Sequence, residues 1–178
     1  MSELKPDKWM SWVALATAIM AVLAAMTTLY LGKYSSRAIM NQGQETSQWA
    51  YYQAKSIKSY IYEIQKQKME LEMMSSGVGK SGPIADKYLK IMSDYDKQIK
   101  RYDREKDEIK AKADELAKSK DTAQERAGNF GYALIFLQIA LMLCSIAAMT
   151  KRKPLFYLGV ITVTGWVFFF LDAVLLFH

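Results

Sequence analysis

Residues 9–32 form a run of 24 residues without a charged side chain. A helix needs roughly 20 apolar residues to cross the ~30 Å hydrocarbon core of a bilayer. Lys5 and Lys8 precede the run as they would in a signal peptide, yet the run exceeds the roughly 7–15 apolar residues of such a segment and no clear A-x-A cleavage site follows. We therefore expect an uncleaved transmembrane helix at 9–32, after a cytoplasmic tail at 1–8.

Two more apolar runs lie at the other end of the chain, at 129–150 and 155–178. The short loop 151–154 between them carries three basic residues followed by Pro154, which is tolerated in a first helical turn. Short basic loops stay in the cytoplasm, so the topology determinants are Lys151, Arg152 and Lys153. This orientation predicts a cytoplasmic N-terminus and a periplasmic segment at 33–128.

The segment 33–128 carries 19 Lys/Arg and 15 Asp/Glu. Apolar residues recur in it every seven positions, which is typical of a coiled coil. The predicted fold is an all-α membrane protein with three transmembrane helices and a long extramembrane antiparallel coiled-coil hairpin between the first and second. Its ascending arm is 33–74, with a kink or break at Gly43, its tip 75–83 and its descending arm 84–128. The predicted seam consists of Ile57, Ile61, Ile64, Leu71, Tyr88, Ile91, Tyr95, Tyr102, Ile109 and Leu116.

The nearly equal lengths of the two arms predict which seam residues meet. Pairing about the centre of the tip brings Leu71 near Tyr88, Ile64 near Tyr95 and Ile57 near Tyr102. Tyrosines at three successive heptad positions are bulky for a two-helix seam, which favours a thicker bundle made with other subunits.

The tip sequence SSGVGKSGP resembles the end of a nucleotide-binding loop, G-x-x-x-x-G-K-[ST]. The first glycine of that motif should stand at Met74, and the preceding segment is predicted to be a helix instead of a strand. The glycines and Pro83 are typical of a helix stop, a turn and a helix start. We expect a turn there and no bound nucleotide.

Asp172 is the one acidic residue within an apolar run, and Gln138 is a polar residue in the middle of the second run. An intramembrane carboxylate is costly and marks a candidate functional site, so Asp172 could relay protons or bind a cation. It also lies six residues from the last residue, where it could hydrogen-bond a neighbouring helix or reach water. Gln138 is expected to form an interhelical hydrogen bond.

The stretch QWAYYQAKS concentrates aromatic side chains at Trp49, Tyr51 and Tyr52. These residues either form a surface for a partner, lipid or ligand, or pack the base of the hairpin against its other arm or a neighbouring subunit. The second alternative is favoured.

Composition argues against most catalytic chemistry. The single histidine is His178 and the single cysteine is Cys144, inside an apolar run. We expect no catalytic residue, no cofactor and no metal site, and hence no enzyme. The net charge of +6 is modest and spread out, which does not indicate nucleic-acid binding.

Four stretches, WVALATAIMAVLAAM, QWAYYQAKSIKSYIYE, RYDREKDEI and LQIALMLCSIAAMTKRKP, resemble a bacterial membrane protein family known as domain of unknown function 4337. The resemblance covers most of the chain. It implies a bacterial membrane protein with an N-terminal span, a charged helical middle and C-terminal spans, and it brings no established activity.

Two functions remain open on these grounds. The first is a homo-oligomeric scaffold or partner-binding protein of the bacterial inner membrane, which contacts membrane lipids and holds a protein partner on its periplasmic hairpin. The alternative is a small oligomeric channel, or an accessory subunit of a transport complex, with Asp172 near the path.

Overall fold

The computed structural model describes residues 8–75 and 82–175. These residues form three α-helices and no strand: α1 (Lys8–Ser75), α2 (Pro83–Thr150) and α3 (Lys153–Leu175). Each helix contains a stretch long and apolar enough to cross a membrane. The prediction of an all-helical protein with three such helices is therefore confirmed. Residues 1–7, 176–178 and most of the predicted tip, 76–81, lie outside the described residues.

Helix α1 runs without a break through Gly43, so the predicted break there is wrong. A glycine costs a helix only about 1 kcal/mol relative to alanine, and the 68 residues of α1 outweigh that local cost. The Ser47 hydroxyl also donates a hydrogen bond of 2.9 Å to the Gly43 carbonyl. The apolar run and the charged segment that follows it are thus one continuous helix.

The chain divides into two compact units. The apolar unit comprises Met1–Met40 and Ser119–His178, and the charged unit comprises Asn41–Lys118. Helices α1 and α2 contribute residues to both units, whereas α3 belongs to the apolar unit alone.

The core of the apolar unit is built largely from small side chains on α2. Buried positions on that helix recur every three or four residues, as expected for one face of a helix: Ala123, Ala127, Phe130, Ala133, Leu137, Ala140, Cys144 and Ala147. Helix α1 supplies Val13, Met20 and Thr27, seven residues apart. Small side chains allow helices in a membrane to approach closely, and this face of α2 provides them.

Helix α3 packs against α2 through two glycines. A methyl group at Gly159 would lie 2.9 Å from the sulfur of Cys144, and one at Gly165 would lie 2.7 Å from the Phe136 ring. The indole nitrogen of Trp166 donates a hydrogen bond of 3.1 Å to the Thr27 hydroxyl, which connects α3 to α1. The position of α3 therefore depends on the absence of side chains at two points.

The start of α2 and the start of α3 show different turn chemistry. Gly82 has φ of 137°, a conformation that favours glycine, and its carbonyl accepts the Asp86 N–H at 3.0 Å. Pro83 then occupies the first helical position, where its missing N–H costs nothing. Between α2 and α3, Lys151 adopts φ of 53°, so only two residues reverse the chain.

The glycine contact between α3 and α2 is testable by substitution. Gly165→Ala should lower the free energy of unfolding in detergent by about 1–3 kcal/mol, because the new methyl group overpacks the Phe136 ring. The melting temperature should fall accordingly. Gly131→Ala is the matched control, since nothing lies within 4 Å of a methyl group there. Equal melting temperatures for the two variants would contradict the close approach.

Candidate functional site

The seam predicted for α1 does not face α2. Ile57, Ile61, Ile64 and Leu71 are 60%, 47%, 64% and 66% exposed. The predicted ascending-arm seam is therefore wrong, as are the contacts predicted from it. These residues lie on the opposite side of α1 from the side that packs within the chain.

The side of α1 that packs within the charged unit is polar and aromatic. Its buried or half-buried positions recur every seven residues at Tyr52, Ser59, Lys66 and Met73. The Tyr62 ring lies between two rings of α2, with centroids 5.5 Å from Tyr95 and 5.9 Å from Tyr102. Aromatic pairs at these separations attract beyond their simple burial. The tyrosines of α2 thus pack against another ring instead of the isoleucines.

Two ion pairs connect the same faces. The Lys55 ammonium lies 2.6 Å from a carboxylate oxygen of Glu105, and the Lys66 ammonium donates a hydrogen bond of 2.8 Å to Asp96. The hydrogen bond from Lys55 lowers the pKa of Glu105, although partial burial opposes the shift. The hydrogen bond to Asp96 raises the pKa of Lys66, again against partial burial. Both shifts favour the charged forms of the paired groups.

The residues predicted on α2 lie mostly toward the interior of the charged unit. Tyr102 is buried, with the Arg101 guanidinium 4.9 Å and the Lys55 ammonium 5.4 Å from its ring centroid. Four further members of the predicted seam are half-buried: Tyr88, Tyr95, Ile109 and Leu116. Ile91 is the exception, because it is 37% exposed.

The aromatic stretch divides between the two faces of α1. Trp49 packs edge-on against Tyr52 at 5.6 Å, and both rings are half-buried. Tyr51 is 60% exposed. Trp49 and Tyr52 therefore belong to the face that packs within the chain, whereas Tyr51 is exposed.

The exposed residues form a continuous repeat, which we call the outer stripe: Ala50, Ala54, Ile57, Ile61, Ile64, Lys68 and Leu71. Their spacing alternates between four and three residues over three heptads, or about 32 Å of helix. Such spacing is that of the contact positions of a coiled coil. In this chain the stripe has a single charged member and no covering helix among the described residues.

The carboxylate of the third apolar run has a partner within the chain. Asp172 is 8% exposed and accepts a hydrogen bond of 2.6 Å from the side-chain amide of Asn129, across α3 and α2. Gln138, by contrast, lies on the exposed side of α2. Asn129 is not among the residues predicted from the sequence; its signal in the sequence is an amide side chain at the first position of the second apolar run.

The basic loop retains its exposed charges. Lys151, Arg152 and Lys153 are all exposed at the junction of α2 and α3. The Gly-Lys-Ser sequence of the tip, 79–81, lies outside the described residues, whereas Gly82 precedes α2 and Pro83 begins it.

The family model described as Domain of unknown function (DUF4337) matches residues 9–176. No curated protein matches the chain, and no solved structure does.

The lowered pKa of Glu105 gives the charged unit a pH dependence. The stabilisation from its pair with Lys55 is complete above the pKa of an unfolded glutamate and is lost as the pH falls through the lowered pKa of the folded state. Glu105→Gln should therefore melt at a lower temperature than wild type at about pH 7, with the difference shrinking toward about pH 3. Circular dichroism of the full chain in detergent measures this.

The matched control for this experiment is Glu108→Gln, which changes an exposed carboxylate on the same helix. Its difference from wild type should be smaller at neutral pH. A Glu105→Gln difference that grows as the pH is lowered would show that the assigned pair does not stabilise the charged unit.

Proposed function

The chain belongs to the DUF4337 family, and we propose that it is a membrane-anchored homo-oligomer that presents a coiled-coil hairpin as a scaffold or partner-binding element. The single observation that carries this proposal is the outer stripe of α1. It has the spacing of a helix contact and lies on the surface of a segment rich in charge.

The contacts inside the charged unit support an antiparallel hairpin. Lys55 pairs with Glu105, Tyr62 packs between Tyr95 and Tyr102, and Lys66 pairs with Asp96. As the residue number rises along α1 it falls along α2, which is the order of two helices that run in opposite directions. The seven-residue recurrence of the buried face on each helix is the pattern of a coiled coil.

The exposed apolar residues of the outer stripe and those of the apolar runs face different surroundings. Leu15 and Val22 are exposed on α1 within the apolar run, as lipid-facing side chains must be. Ile57 and Ile64 are exposed within a segment of 19 basic and 15 acidic residues, where water is the surrounding solvent. Contiguous apolar surface in water marks an interaction site.

A second copy of the chain is the partner that fits the stripe best. The one charged member, Lys68, lies 3.7 Å from Glu72 on the next turn, so the stripe does not present an uncompensated charge to an identical partner. One lysine at a contact position is also a device that fixes register between coiled-coil helices. Two copies inserted in one bilayer with the same orientation run in the same direction, and anchoring raises their effective concentration.

The apolar unit offers surfaces that would accompany such pairing. Exposed Gln138 lies in an apolar run, where a polar side chain gains a hydrogen bond by meeting a neighbouring helix. An open groove of about 520 Å³ lies between α1 and α2 and is lined in part by Ala14, Ala18 and Ala21, the small-residue spacing that permits close helix approach in membranes.

The proposed location is the inner membrane of a bacterium, with residues 33–128 on the periplasmic side. Support for this orientation comes from the short loop with Lys151, Arg152 and Lys153, which the positive-inside rule retains in the cytoplasm. The proposed role is binding instead of catalysis, and Tyr51, beside the outer stripe, extends the surface available to a protein partner.

The surroundings of Asp172 give less support to the transport alternative. A carboxylate that lines a path should face a cavity or water, whereas Asp172 is buried against Asn129. That arrangement is typical of an interhelical contact, and the proposal therefore stays with the scaffold.

Removal of the outer stripe tests the proposal. The double substitution Ile61→Ser and Ile64→Ser should convert the oligomer extracted in mild detergent into smaller species, because it deletes the apolar contact between copies. Mass photometry or sedimentation of the full chain measures the stoichiometry. Helicity should stay unchanged, since both side chains are exposed within one copy.

The matched control is Leu89→Ser, which removes an exposed apolar side chain from α2, outside the stripe. It should leave the stoichiometry at the wild-type value. A monomeric wild type in native membranes, or an equal effect of both variants, would refute self-association through the stripe.

A further inference from the structure

A second surface of the molecule has the chemistry of an anion site. A pocket of about 310 Å³ in the apolar unit is lined by Tyr34, Arg37, Ser119, Thr122, Ala123 and Arg126. Two of these six residues are arginines, three carry hydroxyl groups and none is acidic. Guanidinium groups with hydroxyl groups beside them are the donors that bind phosphate oxygens.

The packing of the aromatic rings fixes one of the two guanidinium groups. Tyr34 stacks on Phe130 at 5.6 Å, and Phe130 is 1% exposed. The Arg126 guanidinium lies 5.5 Å from the Tyr34 ring centroid and donates a hydrogen bond of 3.3 Å to its hydroxyl. Arg126 therefore has a defined position at the pocket, with donors left over, because one guanidinium carries five N–H groups.

Neither guanidinium is neutralised within the described part of the chain. No carboxylate of residues 8–75 or 82–175 lies within 4.0 Å of Arg37 or Arg126 in a salt bridge. Arg37 is exposed and follows Tyr34 by three residues, which places both on one side of α1. Two uncompensated cations that line one pocket attract an anion, and a phosphate accepts hydrogen bonds from both.

The pocket lies where phosphate groups of a bilayer lie. The apolar run of α1 ends at Gly32 and that of α2 begins at Asn129. At 1.5 Å per residue, Arg37 is about 8 Å and Arg126 about 5 Å along its helix from that boundary. The headgroup layer is about 5–8 Å deep on each side of a bilayer. Both arginines therefore coincide with that layer.

We propose that this pocket binds the phosphate group of an anionic phospholipid in the leaflet on the side of residues 33–128. Arg37 and Arg126 hold the phosphate, whereas Ser119 and Thr122, about 10–15 Å from Asn129 along α2, lie beyond the headgroup layer on its aqueous side. The inference is independent of self-association and of the orientation of the chain in the membrane.

Lipid binding to the full chain in detergent tests the proposal. Native mass spectrometry should show more dioleoyl-phosphatidylglycerol than dioleoyl-phosphatidylcholine retained at equal concentrations. Combining Arg37→Gln with Arg126→Gln should weaken phosphatidylglycerol binding on the order of tenfold, as expected for the loss of charge-assisted hydrogen bonds. Circular dichroism without added lipid verifies that the variant is folded.

Arg152→Gln is the matched control, since it removes an exposed arginine next to an apolar run but outside the pocket. It should retain the preference for phosphatidylglycerol. A separate titration with inorganic phosphate distinguishes the source of the anion: a lipid site keeps its phosphatidylglycerol in excess phosphate, whereas displacement overturns the lipid assignment in favour of free phosphate. An unchanged preference in the double variant would overturn the pocket itself.

Discussion

The Tyr62 ring, held between Tyr95 and Tyr102, decides which side of α1 faces α2 in the charged unit. The pairs of Lys55 with Glu105 and of Lys66 with Asp96 lie on that same side. A rotation of α1 by half a turn would separate these rings and charges, and the isoleucines would meet the tyrosines of α2 instead. Each half-exposed ion pair contributes little by itself, but rings and charges together select one rotation. The outer stripe is exposed as a consequence.

The selection of the side of α1 that faces α2 explains what the sequence could and could not predict about the charged unit. The sequence predicts the helicity of α2 and its seven-residue repeat, because apolar residues such as Tyr95 and Tyr102 recur at that spacing. Helix α1 carries two such repeats on opposite sides, one that includes Ile57 and Ile64 and one that includes Ser59 and Lys66. Hydropathy favours the first, whereas the pairing partners on α2 favour the second. Which repeat packs depends on the facing helix, and a single helix does not encode that information.

In the apolar unit, too, local features could be predicted from the sequence, whereas contacts between distant residues could not. The three apolar runs are readable from the sequence because a bilayer imposes a minimum length. The bond between Asn129 and Asp172 joins residues 43 positions apart, and the contact of Gly165 with Phe136 depends on how α3 lies against α2. The basic pocket likewise requires Arg37 and Arg126, from different helices, to meet. Their charges are visible in the sequence, but their shared pocket is not.

Distances between copies of α1 test the central claim most directly. A spin label at Leu71→Cys, in a Cys144→Ala background and in lipid nanodiscs, reports how far the outer stripes of two copies lie apart. Paired helices lie about 8–10 Å apart, so pulsed electron paramagnetic resonance should give one narrow distribution on the order of 20 Å between labels. The label at Leu89→Cys should give a longer distance. Absence of any dipolar signal at Leu71 beyond that of a magnetically diluted sample would contradict the account.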